Sequence, residues 1–210
     1  MKNKNGSFLL SLGLLLIVAA LFLSGYNLWE ERQAAASAAV VLEQMELPQP
    51  PASEEAEDAD EGLLPDYLLN PNMEMPVQSI DGADYIGVLE IPSLGLALPI
   101  RSEWSYPALK TAPCRYKGSA YLDDLILAGH NYESHFAKLK QLSPGEELFF
   151  RDMDGNLFSY QVLGLEILQP EDVEAMESGD WDLSLFTCTI GGSSRVTVRC
   201  QRLEDGPLGR

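Results

Sequence analysis

Cys188 ends the alternating run LSLFTC and is followed by the glycine- and serine-rich stretch TIGGSS. A thiol at such a point has its Cα fixed by a sheet while its sulfur faces a groove, the placement a nucleophile needs. His130 follows the apolar run LILAG. An imidazole whose ordinary pKa is roughly 6.5 can activate a thiol or protonate a leaving amine near neutral pH. Arg195 opens the run RVTVRCQRL, where alternation puts Arg195, Thr197 and Arg199 on one side and Val196, Val198 and Cys200 on the other. A fixed guanidinium there can hydrogen-bond a peptide carbonyl or a developing oxyanion. Taken singly, each residue has a plainer role: a buried thiol, a capping histidine, a surface arginine. If Cys188 ends one strand and Arg195 begins its neighbour across a short loop, both can face a single groove.

The remaining reactive residues are few, because the chain has three cysteines and two histidines. His135 lacks the HExxH spacing and reads as structural. Cys200, on the valine face, reads as core; Cys114, in TAPCRY, is unassigned, and a bridge between the two is the lesser alternative. A zinc site from His130, His135 and a cysteine is disfavoured, so no metal ligand and no cofactor is assigned. Asp152-Met153-Asp154-Gly155 lacks the other ligands of a calcium loop and reads as a hairpin turn.

The elements that must position these residues are short strands. YIGVLEIPSLGLALPI reads as two strands broken by a turn at Pro92. LILA is a short buried strand, and Phe136, Leu139 and Leu142 give Tyr132–Leu142 a helical spacing that ends at Pro144-Gly145. ELFFRDMDGNLFSYQVLGLEIL is a hairpin turning at Asp154-Gly155. With DLSLFTCTI and SRVTVRCQRL the total is about seven or eight strands with little helix, which predicts a closed or nearly closed antiparallel barrel.

Ahead of these lies an uncharged run from Phe8 to Gly25, close to the roughly 18–20 residues a helix needs to cross a bilayer. Lys2 and Lys4 precede it and Glu30 and Glu31 follow, so the N-terminus is expected inside and the rest outside, with Tyr26 and Trp29 at the interface. A cleaved signal peptide is the rival, but its apolar core is shorter and Ala34-Ala35-Ala36 stands too far beyond the run. Residues Glu30–Met45 are expected to continue the helix. LPQPPASEEAEDADEG then reads as a disordered acidic spacer. The formal charge of -18 repels phosphate backbones, so nucleic acid is excluded as a partner.

From about Asp84 to Leu203 the chain resembles the sortases. YIGVLEIPSLGLALPI is similar to the family's first strands, LILAGHN to its histidine strand and SRVTVR to its arginine strand. SLFTC matches the TLxTC signature except that Ser184 replaces the first threonine. The order histidine, cysteine, arginine also disfavours papain-like enzymes, where cysteine comes first.

The resemblance implies an all-β fold: a closed eight-stranded sortase-like barrel with one or two short helices, preceded by a transmembrane helix and linker. It divides the chain into a cytoplasmic stub and anchor (1–29), a juxtamembrane helix and linker (30–80), a catalytic domain (81–205) and a tail (206–210). It implies that Cys188 attacks an LPxTG-like or NPxTG-like sorting signal of a secreted surface protein, that His130 protonates the departing amine, and that Arg195 holds the oxyanion. Thr187, Ser184 and Asn131 are the expected substrate contacts. A cell-wall or pilin amine is the expected acceptor, on the outer face of a Gram-positive cell membrane.

The loop Thr189–Ser194 is shorter than in many members, and no second apolar segment follows the last strand, which favours anchoring over pilus assembly. Leu64-Pro65-Asp66-Tyr67 and Asn70-Pro71-Asn72-Met73 each resemble part of a sorting signal. That segment reads as linker, with a lid over the groove as the alternative. The competing function is a non-catalytic, membrane-anchored β-barrel binding module.

Overall fold

A computed structural model describes residues 4–47, 64–189 and 191–203. The acidic spacer, apart from Leu47, and the tail expected at 206–210 lie outside the described residues. Helix α1, Lys4–Gln44, runs without a break from the apolar segment through the alanine-rich one. Neither proline nor a β-branched cluster interrupts it, and Pro48 stands just beyond its end. Its first part is long and apolar enough to cross a membrane, and none of the other described residues covers it. Further along, Ala34, Ala38 and Val41 are buried. Their spacing of four and three places them on one helical face, and Val41 joins Ile80, Tyr85 and Ala112 in a small cluster.

The strands are β1 (Gln78–Ile80), β2 (Ala83–Ile91), β3 (Leu96–Arg101), β4 (Cys114–Lys117), β5 (Leu125–Gly129), β6 (Glu147–Asp152), β7 (Leu157–Leu168), β8 (Leu183–Cys188) and β9 (Arg195–Arg202). Three further helices are one turn or little more: α2 (Asp66–Leu69), α3 (Tyr106–Leu109) and α4 (Val173–Glu177). The sheet runs β1-β2-β3-β4-β5-β8-β9-β7-β6, and β6 pairs back onto β2. Eight strands therefore close a barrel and β1 hangs on its rim. The interior is packed by Ile86, Leu89, Leu127, Phe150, Phe158, Tyr160, Leu185 and their neighbours, all buried.

Closure depends on Gly87. Its φ of +155° sits at a register shift in β2, and a Cβ there would lie 2.1 Å from the Arg151 carbonyl oxygen. Only glycine lets β6 come close enough to pair Gly87 with Asp152. The turn at Asp154-Gly155 forms as expected. Asp152 is its hub, accepting from the backbone N–H of Asp154 and Asn156, from the Asn156 amide and from the Tyr121 hydroxyl.

Two features differ from the sequence expectation. The barrel is mixed, since β3 pairs parallel with β4 and β5 parallel with β8. Parallel neighbours need long crossovers, and α3 and the β6–β7 hairpin supply them. The helix expected over Tyr132–Leu142 is a series of turns ending in a 3-10 turn, Ala137–Gln141. Phe136, Leu139 and Leu142 recur at intervals of three, which suits three residues per turn better than 3.6, and all are buried.

His135 lies in this stretch fully buried, and neither ring nitrogen has a partner among the described residues. Burial, aided by the nearby His130, pushes its pKa down from 6.5 to about 4. The folded chain refuses a proton that the unfolded chain accepts, so this contribution is complete above the unfolded pKa and is lost as pH falls towards 4. The loss amounts to about 3 kcal/mol. His135→Phe should remove it: the difference in urea stability between pH 7 and pH 4.5 should shrink against the parent by roughly that amount. An unchanged difference would refute the assignment.

Candidate active site

Strands β5 and β8 run parallel and in register from Leu125↔Leu183 to Gly129↔Thr187. The next residues, His130 and Cys188, therefore leave the sheet side by side at the same end. Strand β9 starts from that end and runs back, with Cys188 opposite Arg195 as the terminal pair. Residues directly opposite in an antiparallel pair share a face with Cα atoms about 5 Å apart. The connecting loop is pinned by Thr189 N–H to the Ser194 carbonyl at 2.9 Å. Arg195 Nη1 donates to the carbonyls of Gly192 and Ser194, each at 3.2 Å, so its loop holds the guanidinium.

Cys188 and Arg195 line one groove of about 190 Å³. Its walls are mostly apolar, Gln169 and Asp172 being polar members of the lining besides Arg195. Trp104, Tyr116 and Phe186 form a chain of rings, 5.7 Å from Trp104 to Tyr116 and 5.3 Å edge-to-face from Tyr116 to Phe186. Val173 and Met176 of α4 face them. None of these groove residues was singled out from the sequence. The one signal was Ser105-Tyr106-Pro107, a helix start in which Ser105 Oγ caps α3 by accepting from the Ala108 N–H at 3.2 Å, fixing the residues on either side.

The α4 wall is held by Arg199, which is nearly inaccessible. Its guanidinium donates to the carbonyls of Ala175 at 2.6 Å and Met176 at 3.0 Å, to Ser184 Oγ at 2.8 Å and to Glu166 Oε1 at 2.6 Å. A planar fork can meet four acceptors at once; an ammonium group cannot.

His130 is half-buried beside the groove and is not one of its lining residues. The Asn131 N–H donates to Nδ1 at 3.0 Å, which leaves Nε2 to carry the proton of the neutral ring. The Tyr132 ring lies flat on the imidazole, 4.1 Å away at 4°. Burial lowers the His130 pKa; the Glu30 carboxylate pulls it up and the Lys110 ammonium pushes it down.

The three expected substrate contacts are placed differently. Ser184 is buried and its hydroxyl is occupied by Arg199. Thr187 points to the face of β8 opposite Cys188, where its buried hydroxyl has no partner among the described residues. Asn131 engages His130 through its backbone and does not line the groove. Nor does the segment before the barrel cover the groove. Tyr67 stacks on Tyr121 at 4.7 Å and receives an Arg202 N–H at 3.4 Å, at the other end of β9. Asn72–Met75 line a separate hollow that shares only Trp104 and Tyr116 with the groove.

A family model described as a sortase domain matches residues 89–203. Sortase A of Bacillus anthracis is 27% identical over 121 residues, covering 55% of this chain and 57% of that relative, so the chain spans little more than half its length. Among solved structures, sortase C1 from Streptococcus agalactiae superposes with a TM-score of 0.53 at 26% identity, covering 65% of this chain and 75% of that one. Clostridium perfringens sortase C, determined with the C-terminal cell wall sorting motif, gives a TM-score of 0.51 at 24% identity over 65% of this chain and 82% of that one.

All three cysteines are free, with only Cys188 exposed. Burial pushes the Cys114 and Cys200 thiols up to about 11 and about 12. Iodoacetamide at pH 7.5 should therefore label Cys188 alone in the folded chain, with the other two reacting only in denaturant; peptide mapping checks the order. Arg199→Met should cost about 2–4 kcal/mol, because the buried Met176 carbonyl and the buried Ser184 hydroxyl lose their donor, and Arg199→Lys should recover only part. A midpoint unchanged in either variant would show that α4 is held by other contacts.

Proposed function

This chain belongs to the sortase family, and on that premise we propose that it is a cysteine transpeptidase that cuts a sorting signal of the LPxTG or NPxTG kind and passes the acyl part to an amine. The observation that carries this is the pairing of Cys188 with Arg195 at one wall of an apolar groove, with His130 next in register. Apolar walls suit a peptide with leucine and proline ahead of its scissile bond. The Clostridium perfringens relative, solved with a sorting motif, supports a peptide as occupant.

The chemistry follows from the groups present. The Cys188 thiol passes its proton to His130, giving a thiolate and an imidazolium; the sulfur then attacks the carbonyl carbon of the scissile amide, a C–S bond forms and the carbonyl π pair moves onto oxygen as negative charge. Arg195 holds that oxyanion. Collapse breaks the C–N bond, and the imidazolium of His130 gives the departing amine its proton. An acceptor amine then attacks the thioester; the new C–N bond replaces the C–S bond, and the proton the amine sheds passes through His130 to the departing thiolate, returning the thiol. The covalent intermediate divides a difficult exchange into two easier steps. Domain limits of 81–205 for the catalytic unit, and a span by α1 with the barrel outside, complete the proposal; Lys2 and Lys4 before the apolar run and Glu30 and Glu31 after it support that orientation.

The test is incubation with a library of LPxTG- and NPxTG-type peptides, followed by mass spectrometry. The expected result is an acyl adduct on Cys188 that disappears on adding an amine. Cys188→Ala should give none, and His130→Asn and Arg195→Ala should each slow adduct formation by about 100-fold or more. If no peptide acylates Cys188 although iodoacetamide does, a binding module replaces the enzyme.

A further inference from the structure

Glu30 and Glu31 are the first acidic residues after the apolar run, and in the fold both reach the barrel. Glu30 Oε1 accepts from Lys110 Nζ at 2.5 Å, and Oε2 accepts from the Tyr132 hydroxyl at 3.3 Å. Glu31 Oε1 accepts from the Glu133 backbone N–H at 3.0 Å. Further along, Ala34, Ala38 and Val41 are buried, so the helix is seated on the barrel beyond this point. The Lys110–Glu30 pair is itself too exposed to contribute much stability, with Lys110 53% accessible. Its effect is to be sought in what it orients.

What it orients is Tyr132. This side chain is a short rigid lever: the hydroxyl at one end is held by Glu30, and the ring face lies on His130. A tyrosine has few rotatable bonds, so fixing its hydroxyl fixes the plane of its ring. Apart from the Asn131 N–H on Nδ1, the His130 loop is built from turns, with no strand or helix to hold the imidazole directly after Gly129. The titratable and charged groups near the ring are Glu30 on α1, Lys110 after α3, Tyr132 and His135 in its own loop, and Cys188 and Arg195 at the ends of β8 and β9. Of these, Glu30 is the carboxylate that favours the imidazolium.

We propose that Glu30 is a positioning residue for His130, acting through Tyr132, so that the anchor helix is a working part of the active site as well as a tether. The proposal rests on His130 being the proton donor of the reaction. It follows that deleting the helix would lower the rate even with the barrel intact.

The experiment uses the full chain in lipid nanodiscs, comparing the parent with Glu30→Ala, Glu30→Gln, Tyr132→Leu and the Glu30→Ala/Tyr132→Leu double variant. Glu43→Gln, an exposed change on the same helix, is the control, and His130→Asn is the reference. Glu30→Ala and Tyr132→Leu should each lower the acylation rate about tenfold with KM little changed, because misorientation affects the step and not peptide binding. The double variant should be no slower than either single one, since both break the same link. Glu30→Gln, which can still accept from Tyr132, should recover part of the rate. In nuclear magnetic resonance the His130 titration midpoint should fall in Glu30→Ala, where the carboxylate favouring the charged ring is gone.

Parent-like acylation and an unmoved His130 signal in Glu30→Ala, while His130→Asn is inactive, would overturn the proposal, as would additive losses in the double variant. If His130→Asn itself acylates at the parent rate, the proton-donor reading fails instead. The His130 ring signal in Glu30→Ala then still decides whether the carboxylate orients the ring.

Discussion

The parallel pairing of β5 with β8 is the constraint from which the site follows. Two parallel strands in register end together, so whatever follows β5 stands beside whatever ends β8. An antiparallel pairing would have sent His130 and Cys188 to opposite ends of the barrel, with the length of a strand between them, roughly 3.3 Å for every residue. The antiparallel return of β9 then brings Arg195 to the same rim. His130, far from Cys188 and Arg195 along the chain, reaches the same rim because of strand direction, and the connecting segments need only be long enough to allow it.

That arrangement has a cost in burial. A parallel strand flanked on both sides is covered on both faces, and β5 is buried at all five positions. The outer face beneath the groove therefore had to be covered by something other than the barrel interior. Strand β8 presents Ser184 and Phe186 outward, β9 presents Thr197 and Arg199, and the segment carrying α4 lies over them. A polar interior layer is stable only if its donors and acceptors are matched. Arg199 does most of that matching, joining two α4 carbonyls, a β8 hydroxyl and a β7 carboxylate. The groove is what remains open between this supported flap and the ring of Trp104, Tyr116 and Phe186.

Much of this was legible in the sequence. The all-β class, the closed barrel, the apolar N-terminal helix, the proline turn after β2 and the hairpin at Asp154-Gly155 all follow from alternation and turn chemistry. The mixed character of the sheet left a trace that went unused: LILA is uninterrupted apolar sequence where its neighbours alternate, the pattern of a strand buried on both faces. Thr187 and Ser184, expected as substrate contacts, are kept out of the groove lining for a definite reason. Alternation along β8 turns Thr187 away from Cys188, and Ser184, although on the same face as Cys188, is covered by an arginine whose partners are remote in sequence. The aromatic wall depends on β4, β8 and Trp104, two residues ahead of α3, converging, and no local pattern carries that.

The seating of α1 on the barrel changes what the N-terminal helix means for the chemistry. A domain joined to its membrane anchor by chain alone samples many orientations, and each productive encounter with another membrane-borne partner must find the right one. Here a helical face of Ala34, Ala38 and Val41 is already buried, with Glu30 and Glu31 engaged just ahead of it. With α1 spanning the bilayer as proposed, Glu30 stands five residues beyond Gly25, about 7–8 Å along the helix. That holds the His130 rim near the level of the lipid headgroups. The contacts proposed to orient the imidazole would then also orient the groove, so the proposed alignment of His130 and the alignment of the groove with a membrane-borne partner would rest on one interface.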